Sequence, residues 1–430
     1  MIGAALMAAG TMVSGAVVAG EPAQASSNAS FGELLGVYCT AAANCWAVGD
    51  HDNGTADLNE ALHWTGHKWR SVSVPSPGGT GNGATSELSA VRCTAATNCW
   101  AVGNYGKSGS VRLNQALHWN GRQWTSVPVP SPGTKTVSST NFLGDVSCTA
   151  ASDCWAVGQY ERGAPGSLVL RNLMLHWTGK KWFLVAVPNP GGTKPGDGNL
   201  LNSVRCASAS DCWAAGSEGT FTEGLAAARP AAAAGKRFFF ANQMLHWNGT
   251  KWVAVKVPSP GGTANGANNL VNGLSCTAST DCWAAGTYGS FNNPAHNSLN
   301  EVLHWSGKKW VKVSAPNPVG TGNDAGNQLN AIFCVTASNC WADGTDGIQL
   351  GGNPSFGEML HWNGAKWSQA TIPNTAGNGA NARSTLRSIR CVSAADCWAV
   401  GTAQPDGHDA AELILHWTGK KWTIAVGAPL

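Results

Sequence analysis

Charge is what this chain has least of. Asp, Glu, Lys and Arg make up 12% of its 430 residues, and they leave a net charge of +3. No basic run stands out, which excludes a nucleic-acid or membrane-surface footprint. No nucleophile motif and no phosphate loop is present. Tyrosine is scarce, at 4 residues. No cysteine is left over, because all 14 fall into pairs. Low charge combined with 54 glycines suits a rigid, loop-rich β protein, and neither a disordered chain nor a coiled one.

What the chain has in abundance is one phrase, repeated seven times. In the second copy it reads Cys93-Thr-Ala-Ala-Thr-Asn-Cys99-Trp100-Ala-Val-Gly103, then Leu117-His118-Trp119-Asn-Gly121-Arg-Gln-Trp124. Successive first cysteines stand 54, 55, 58, 70, 58 and 57 residues apart. The pairs are Cys39 with Cys45, Cys93 with Cys99, Cys148 with Cys154, Cys206 with Cys212, Cys276 with Cys282, Cys334 with Cys340 and Cys391 with Cys397. A metal site would need two such pairs together, or a pair with histidine. One pair per copy keeps them apart, so the spacing predicts one hairpin disulfide per repeat and an oxidising compartment.

Residues 1–20 are apolar and uncharged, and Ala23-Gln-Ala25 fits a small-residue cleavage site. Residues 1–25 read as a secretory signal peptide, although no Lys or Arg precedes the apolar run. The alternative is an uncleaved membrane anchor, for which the stretch is only marginally long enough. Residues 26–33 form a short linker, and residues 34–430 form one repeat domain. The protein is expected outside the cell, with no membrane insertion after cleavage and no nucleic-acid partner.

Each copy reads as four short strands. In the second these are Glu87–Cys93, Cys99–Gly103, Asn114–Trp119 and Trp124–Val129. Asn120-Gly121 marks a hairpin, and Pro130 ends the last strand. Alternation along a strand puts Trp100 and Val102 on one face and Ala101 and Gly103 on the other. Both faces are dry, so each sheet must be covered twice. Seven sheets stacked bulky face on small face, and closed into a ring, satisfy all of them. An open solenoid would need polar end caps, which the terminal copies lack. The expected fold is therefore all-β: a seven-bladed β-propeller with four antiparallel strands per blade, closed by face packing of the first blade on the seventh.

The Cys-Trp-Ala-Val-Gly and Leu-His-Trp-Asn/Thr-Gly-x-x-Trp phrases resemble the repeats of secreted bacterial seven-bladed propellers, distant relatives of kelch and galactose-oxidase-type propellers. The Gly121-to-Trp124 step also resembles the end of the sialidase Asp-box. Leu117 and Trp119 replace its Ser and Asp, so sialidase-like catalysis is not implied. Some related propellers act as lectin modules, including in secreted toxin particles.

Uniform turns are expected at one end of the sheets and variable loops at the other, and binding groups belong among the variable loops. The residue two beyond the second-strand glycine is His51, Tyr105, Tyr160, Glu218, Tyr288 or Asp346. Tyrosines there suit sugar rings by stacking and hydrogen bonding, or they simply cover the blade edge. Asn59, Asn114, Asn172, Asn242 and Asn300 recur four residues before the repeated His; they are read as ligand-binding amides or as loop caps. The longer fourth copy offers Arg229, Lys236, Arg237, Phe238, Phe239 and Phe240 as a protein-docking element. One repeated His per copy is read as packed and hydrogen-bonded.

The leading expectation is a secreted, non-enzymatic module that binds glycan or protein, lectin-like and without cofactor. The rival is an extracellular glycan hydrolase or lyase. Its site would lie at the seam of the first and seventh copies, where Asp52, Asp57 and Glu60 meet Asp406, His408, Asp409 and Glu412, a cluster that suits acid–base work or Ca²⁺. A third reading is a structural subunit of a secreted assembly. A deep central pocket lined by unlike polar groups would favour chemistry, and shallow repeated aromatic notches would favour a lectin.

Overall fold

The computed structural model describes residues 31–107, 111–133, 140–163, 167–220, 238–291, 297–348 and 354–425. The proposed signal peptide lies outside these residues. Among them are 28 strands and no α-helix, and no helix long and apolar enough to cross a membrane.

Seven antiparallel units of four strands follow one another. The first holds β1 (Gly32–Ala41), β2 (Asn44–Asp52), β3 (Asp57–Trp64) and β4 (Trp69–Ser71). The second holds β5 (Thr85–Ala95), β6 (Asn98–Gly106), β7 (Leu113–Trp119) and β8 (Trp124–Val127). The third holds β9 (Asn141–Ala150), β10 (Asp153–Arg162), β11 (Val169–Trp177) and β12 (Trp182–Leu184). The fourth holds β13 (Asp197–Ser208), β14 (Asp211–Thr220), β15 (Phe239–Trp247) and β16 (Trp252–Ala254). The fifth holds β17 (Ala267–Ala278), β18 (Asp281–Ser290), β19 (Asn297–Trp305) and β20 (Trp310–Val313). The sixth holds β21 (Ala325–Thr336), β22 (Asn339–Ile348), β23 (Ser355–Trp362) and β24 (Trp367–Gln369). The seventh holds β25 (Arg383–Ser393), β26 (Asp396–Gln404), β27 (Ala411–Trp417) and β28 (Trp422–Ile424). β1 begins at Gly32, inside the expected linker, because Gly32 and Glu33 already pair with His51 and Asp50.

One crosswise row accounts for the repeated phrase. Cys39 lies opposite Cys45, Cys45 opposite Trp64, and Trp64 opposite Trp69. All seven cysteine pairs are disulfides across such hairpins. That usage belongs to an oxidising, extracellular compartment.

The disulfides are structural, as the spacing predicts. The second member of each pair, Cys45, Cys99, Cys154, Cys212, Cys282, Cys340 or Cys397, is at 0% exposure, so none of these seven can face a ligand. Their position explains the burial. Each lies on a second strand, paired to the first strand on one side and the third on the other, and each joins the apolar core between two units. Cys154, for example, packs with Trp182 and Leu175, and Cys397 with Trp422 and Leu415.

The second-strand tryptophan fills the space between units. Trp46 packs on Trp119 and Trp124 of the next unit, at 4.7 and 5.1 Å between ring centroids. Every later unit repeats this. Trp398 of the seventh packs on Trp64 and Trp69 of the first, at 4.8 and 5.2 Å. The seventh unit thus meets the first through packed faces, with Leu34, Val37 and Trp69 against Trp398, Val400 and Ile414. Two backbone amides span the same seam, Gly32 N–H to the Ala410 carbonyl and Val37 N–H to Ser388 Oγ, both at 3.2 Å.

The repeated histidines lie against these tryptophans, stacked in five units and tilted at His118 and His361. His63 lies 4.3 Å from Trp46 and bonds Asn44 through Nε2 at 2.6 Å. His176 does the same with Trp155 and Asp153. The hairpin glycine that follows adopts the left-handed region, as at Gly121 with φ of 89°.

A bulge in each first strand sets what faces the centre. The register slips between Leu34 and Gly36 in β1, and at the matching place in the other first strands. The slip drives a carbonyl against the second-strand glycine. A Cβ on Gly49 would stand 1.9 Å from the Glu33 oxygen, so the last residue of Cys-Trp-Ala-Val-Gly tolerates no side chain. The slip also resets the alternation. Leu34 and Val37, three apart, both pack between units, and Tyr38 turns to the central channel.

Candidate functional site

The first strands of all seven units line a narrow central channel of about 100 Å³. Its lining is unlike from unit to unit. The residue just before the first cysteine is Tyr38, Arg92, Ser147, Arg205, Ser275, Phe333 or Arg390 in turn. Arg92 and Arg390 lie over the Tyr38 ring, at 4.7 and 4.3 Å from its centroid. Arg390 also donates to the Tyr38 hydroxyl at 3.2 Å and covers Phe333 at 4.3 Å. Arg205 donates to Asp145 at 2.6 Å. Asp145 is further held by Ser203 Oγ and the Val204 N–H. Midway along the channel, Asn202, Asn272 and Asn330 each donate to a carbonyl of the next unit.

The opposite end of the channel, where the variable loops lie, carries acids instead. Glu33 reaches Arg387 at 3.7 Å and accepts from Thr402 at 3.4 Å, across the seam of the first and seventh units. A pocket of about 230 Å³ opens there, lined by Glu33, Arg383, Arg387, Thr402 and Gln404 among others. Asp50 is buried beside it. Burial, then the charges of Glu87, Glu33, Asp57 and Glu60, push its carboxyl up to about 8.

One strand further out on the same seam, the carboxyls of Glu60 and Glu412 are neighbours that influence each other's protonation, and both Glu60 oxygens and Glu412 Oε1 are buried without a hydrogen-bond partner among the described residues. Burial and the neighbouring carboxyl raise Glu60 far above the ordinary carboxylate range, and burial raises Glu412. Two neighbouring buried carboxyls of this kind favour keeping a proton. His51 Nδ1 stands 4.0 Å from Glu60. Of the seam residues expected from the sequence, these two glutamates come together. Asp52 caps the Gly54 N–H at 2.7 Å, Asp57 is half-buried nearby, and Asp406, His408 and Asp409 stay exposed on their loop.

The recurrent asparagines brace the interfaces. Asn59 exchanges two hydrogen bonds with Gln115 of the next unit, at 2.8 and 2.9 Å, and donates to the Pro75 carbonyl. Asn172 does the same with Gln243 and Pro188. Asn242 and Asn300 donate to Glu301 and Glu358, and Asn114 to the Pro130 carbonyl. All five are at most 4% exposed, so their amides are turned inward, away from any ligand. Burial pushes Glu301 up to about 8 and raises Glu358 well above its usual range.

The other sequence-derived positions divide. Tyr105, Tyr160 and Tyr288 are half-buried, and Lys312 covers the Tyr288 ring at 3.9 Å. Tyr105 and Asp346 each line an edge pocket, of about 440 and 380 Å³. Burial raises Glu218, and pushes Asp346 up to about 6. The slot therefore forms unlike notches and no repeated aromatic set. Arg229, Lys236 and Arg237 lie outside the described residues. Phe238 and Phe240 pack with Leu170, Leu200 and Leu270, and Phe239 opens β15. Phe240 is buried, while Phe238 is half-buried against Phe291, itself 39% exposed.

No family model matches the chain, and no curated protein matches it in sequence. Solved structures do match in fold. A polysaccharide lyase, the PL25 ulvan lyase, superposes with a TM-score of 0.55 at 9% identity, over 92% of this chain and 96% of that one. The same lyase bound to -[GlcA(1-4)Rha3S]- gives 0.53 at 9% identity, over 93% and 97%. The GH74 xyloglucanase of Xanthomonas campestris gives 0.52 at 12% identity, over 95% of this chain and 56% of that one. The chain thus spans little more than half the xyloglucanase's length. At these identities the likeness defines a class of fold, all-β and propeller-like. It also corrects the expectation of a non-enzymatic, lectin-like module, since these fold relatives are glycan-degrading enzymes and favour the rival reading.

Proposed function

We propose that the chain is an exported seven-bladed β-propeller that cleaves an acidic glycan by elimination, at the loop end of the seam between its first and seventh blades. The observation that carries this reading is the Glu60–Glu412 pair. At the same two slots, other interfaces place Asn59 with Gln115 or Asn172 with Gln243. Two further interfaces do without a polar pair, with Leu173 and Leu413 buried in the second slot. Holding the ring together therefore does not require two carboxyls there. A departure from the repeat that replaces an amide clasp with two neighbouring carboxyls points to chemistry.

Elimination suits the geometry better than hydrolysis. A two-carboxylate hydrolase spaces its acids roughly 5–9.5 Å apart to admit substrate or water, whereas Glu60 and Glu412 are close enough for each to alter the other's protonation. In elimination the base removes the proton beside the sugar carboxylate, a carbon–carbon double bond forms, and the glycosidic carbon–oxygen bond breaks. The leaving oxygen takes a proton. A pair that holds one proton can accept at one carboxyl and donate from the other, ending with as many as it began. Arg383 and Arg387 in the adjacent pocket would neutralise the sugar carboxylate. The glycan-active fold relatives support a glycan partner at this coarse level.

Incubation with uronate-containing polysaccharides tests the reading, by the ultraviolet absorbance of the unsaturated product. Wild-type protein is expected to generate it. Arg383→Gln with Arg387→Gln is expected to raise KM at least tenfold. Release of saturated reducing ends only would replace elimination with hydrolysis, and no turnover on any acidic glycan would remove the proposal.

A further inference from the structure

The channel holds a second charged group that the seam chemistry does not use. Three guanidinium groups, those of Arg92, Arg205 and Arg390, converge at the end carrying the cysteine turns. One carboxylate, Asp145, faces them, and Arg205 takes it. No ion pair joins Arg92 or Arg390 among the described residues. Each has a buried Nε without a hydrogen-bond partner. Both lie over one ring, Tyr38, which holds them by cation–π contact.

Two cations without an ion-pair partner in one narrow channel are costly unless an anion joins them. Burial and mutual repulsion lower the pKa of Arg390 to about 9, and burial lowers that of Arg92. Burial disfavours ionisation of Tyr38, yet the charges of Arg92, Arg390 and Arg205 together outweigh it and hold the phenol below its ordinary value. Planar guanidinium forks are suited to two-point recognition of an oxyanion. The cavity, at about 100 Å³, is well below the ~300 Å³ at which drug-sized pockets begin, so it admits a single small group and no oligosaccharide. Arg205 keeps a quarter of its side chain exposed, so the cluster is in reach of solvent.

We infer that Arg92 and Arg390, stacked on Tyr38, form an oxyanion site that takes one carboxylate or sulfate group at the turn-bearing end of the channel, distinct from the seam pocket. The group arrives either as a free ion or as the charged end of an acidic sugar.

Calorimetric titration of the whole protein with sodium sulfate, sodium glucuronate and glucose, at matched ionic strength, tests this. Both anions are expected to bind and glucose is not. Tighter binding of glucuronate identifies the acidic sugar as the source, and equal or tighter binding of sulfate identifies the free ion. Arg390→Gln is expected to weaken binding at least tenfold, whereas Glu412→Gln leaves it unchanged and so separates this site from the seam. In wild-type protein the anion is also expected to shift one tyrosine's ionisation, followed by phenolate absorbance, to higher pH; Tyr38→Phe abolishes that shift. This readout needs no arginine variant to fold. Absence of anion binding, binding unaffected by Arg390→Gln in a folded variant, or a titration indifferent to anion would each overturn the inference.

Discussion

The interface between the first and second units and the seam between the seventh and first are built from the same parts. Each has a second-strand tryptophan packed on two tryptophans of its neighbour. Each has two polar slots on the third strands. The first interface fills them with Asn59 and Gln115, two amides that donate and accept reciprocally and titrate nowhere. The seam fills them with Glu412 and Glu60, two carboxyls that burial and mutual proximity push toward the protonated form. One pair is satisfied at every pH. The other ties the interface to the proton concentration. Leu173 and Leu413 show that burial alone suffices at these positions, so the seam carboxyls add titration, not cohesion.

Making the seam resemble the first interface sharpens the contrast most. Glu60→Gln with Glu412→Asn is expected to lower turnover about 10²–10⁴-fold, the usual worth of a positioned acid or base. Thermal stability at pH 8 should hold or rise in the same protein, by calorimetry. A variant that keeps its turnover would reduce the seam pair to a clasp.

The pH dependence of stability comes next. Asp50, Glu301 and Asp343 are each raised to about 8, chiefly by burial, and Glu60, Glu358 and Glu412 are raised as well. A carboxyl with a raised folded pKa binds its proton more tightly folded than unfolded. Its stabilisation is complete below the unfolded value near 4 and is lost as pH rises through the folded value. The melting temperature is therefore expected to fall between about pH 5 and 8. His63, His118 and His361 are lowered by burial and act oppositely, costing stability as pH falls through their folded values. A flat or rising profile toward pH 8 would contradict the neutral carboxyls. Glu60→Gln with Glu412→Asn should flatten the decline in part.

The smallest effects separate clasps from their absence. Asn242→Ala strands buried Glu301 and is expected to cost ~1–3 kcal/mol in denaturant melts. Across from Asn114 the matching slot holds Leu173, so Asn114→Ala loses only the bond to the Pro130 carbonyl, and about 1 kcal/mol is expected. Equal losses would dissolve the distinction between interfaces.

The fold was legible to the degree that it repeats. Cysteine spacing, the Trp and His slots and the Asn-Gly turns each express a local rule, and seven copies of a local rule reinforce one another. Face packing of the seventh unit on the first followed from the two dry faces of every sheet. The seam glutamates could be named from their place in the terminal copies, though not their contact, which depends on how two distant strands align. The asparagines were legible as a pattern and ambiguous in role, because an amide before a strand suits a ligand, a loop or a neighbour equally. The channel residues were missed. Simple alternation from Leu34 or Leu88 puts Tyr38 or Arg92 between sheets, and only the bulge turns them inward. The signal available was chemical: the residue before the first cysteine varies sharply inside an otherwise uniform phrase.

Sequence alone determined the strand content, the seven disulfides and the packing of tryptophan between like sheets, because those depend on neighbours a few residues away or on a period repeated along the chain. Tertiary structure alone decided which unlike residues share a space. Tyr38 and Arg390 stand at opposite ends of the chain, and Glu60 and Glu412 likewise. They meet because the last unit lies against the first, and because one extra residue in each inner strand shifts its phase. Periodicity foretold that the two units meet, but neither which side chains touch there nor the phase shift that turns Tyr38 inward.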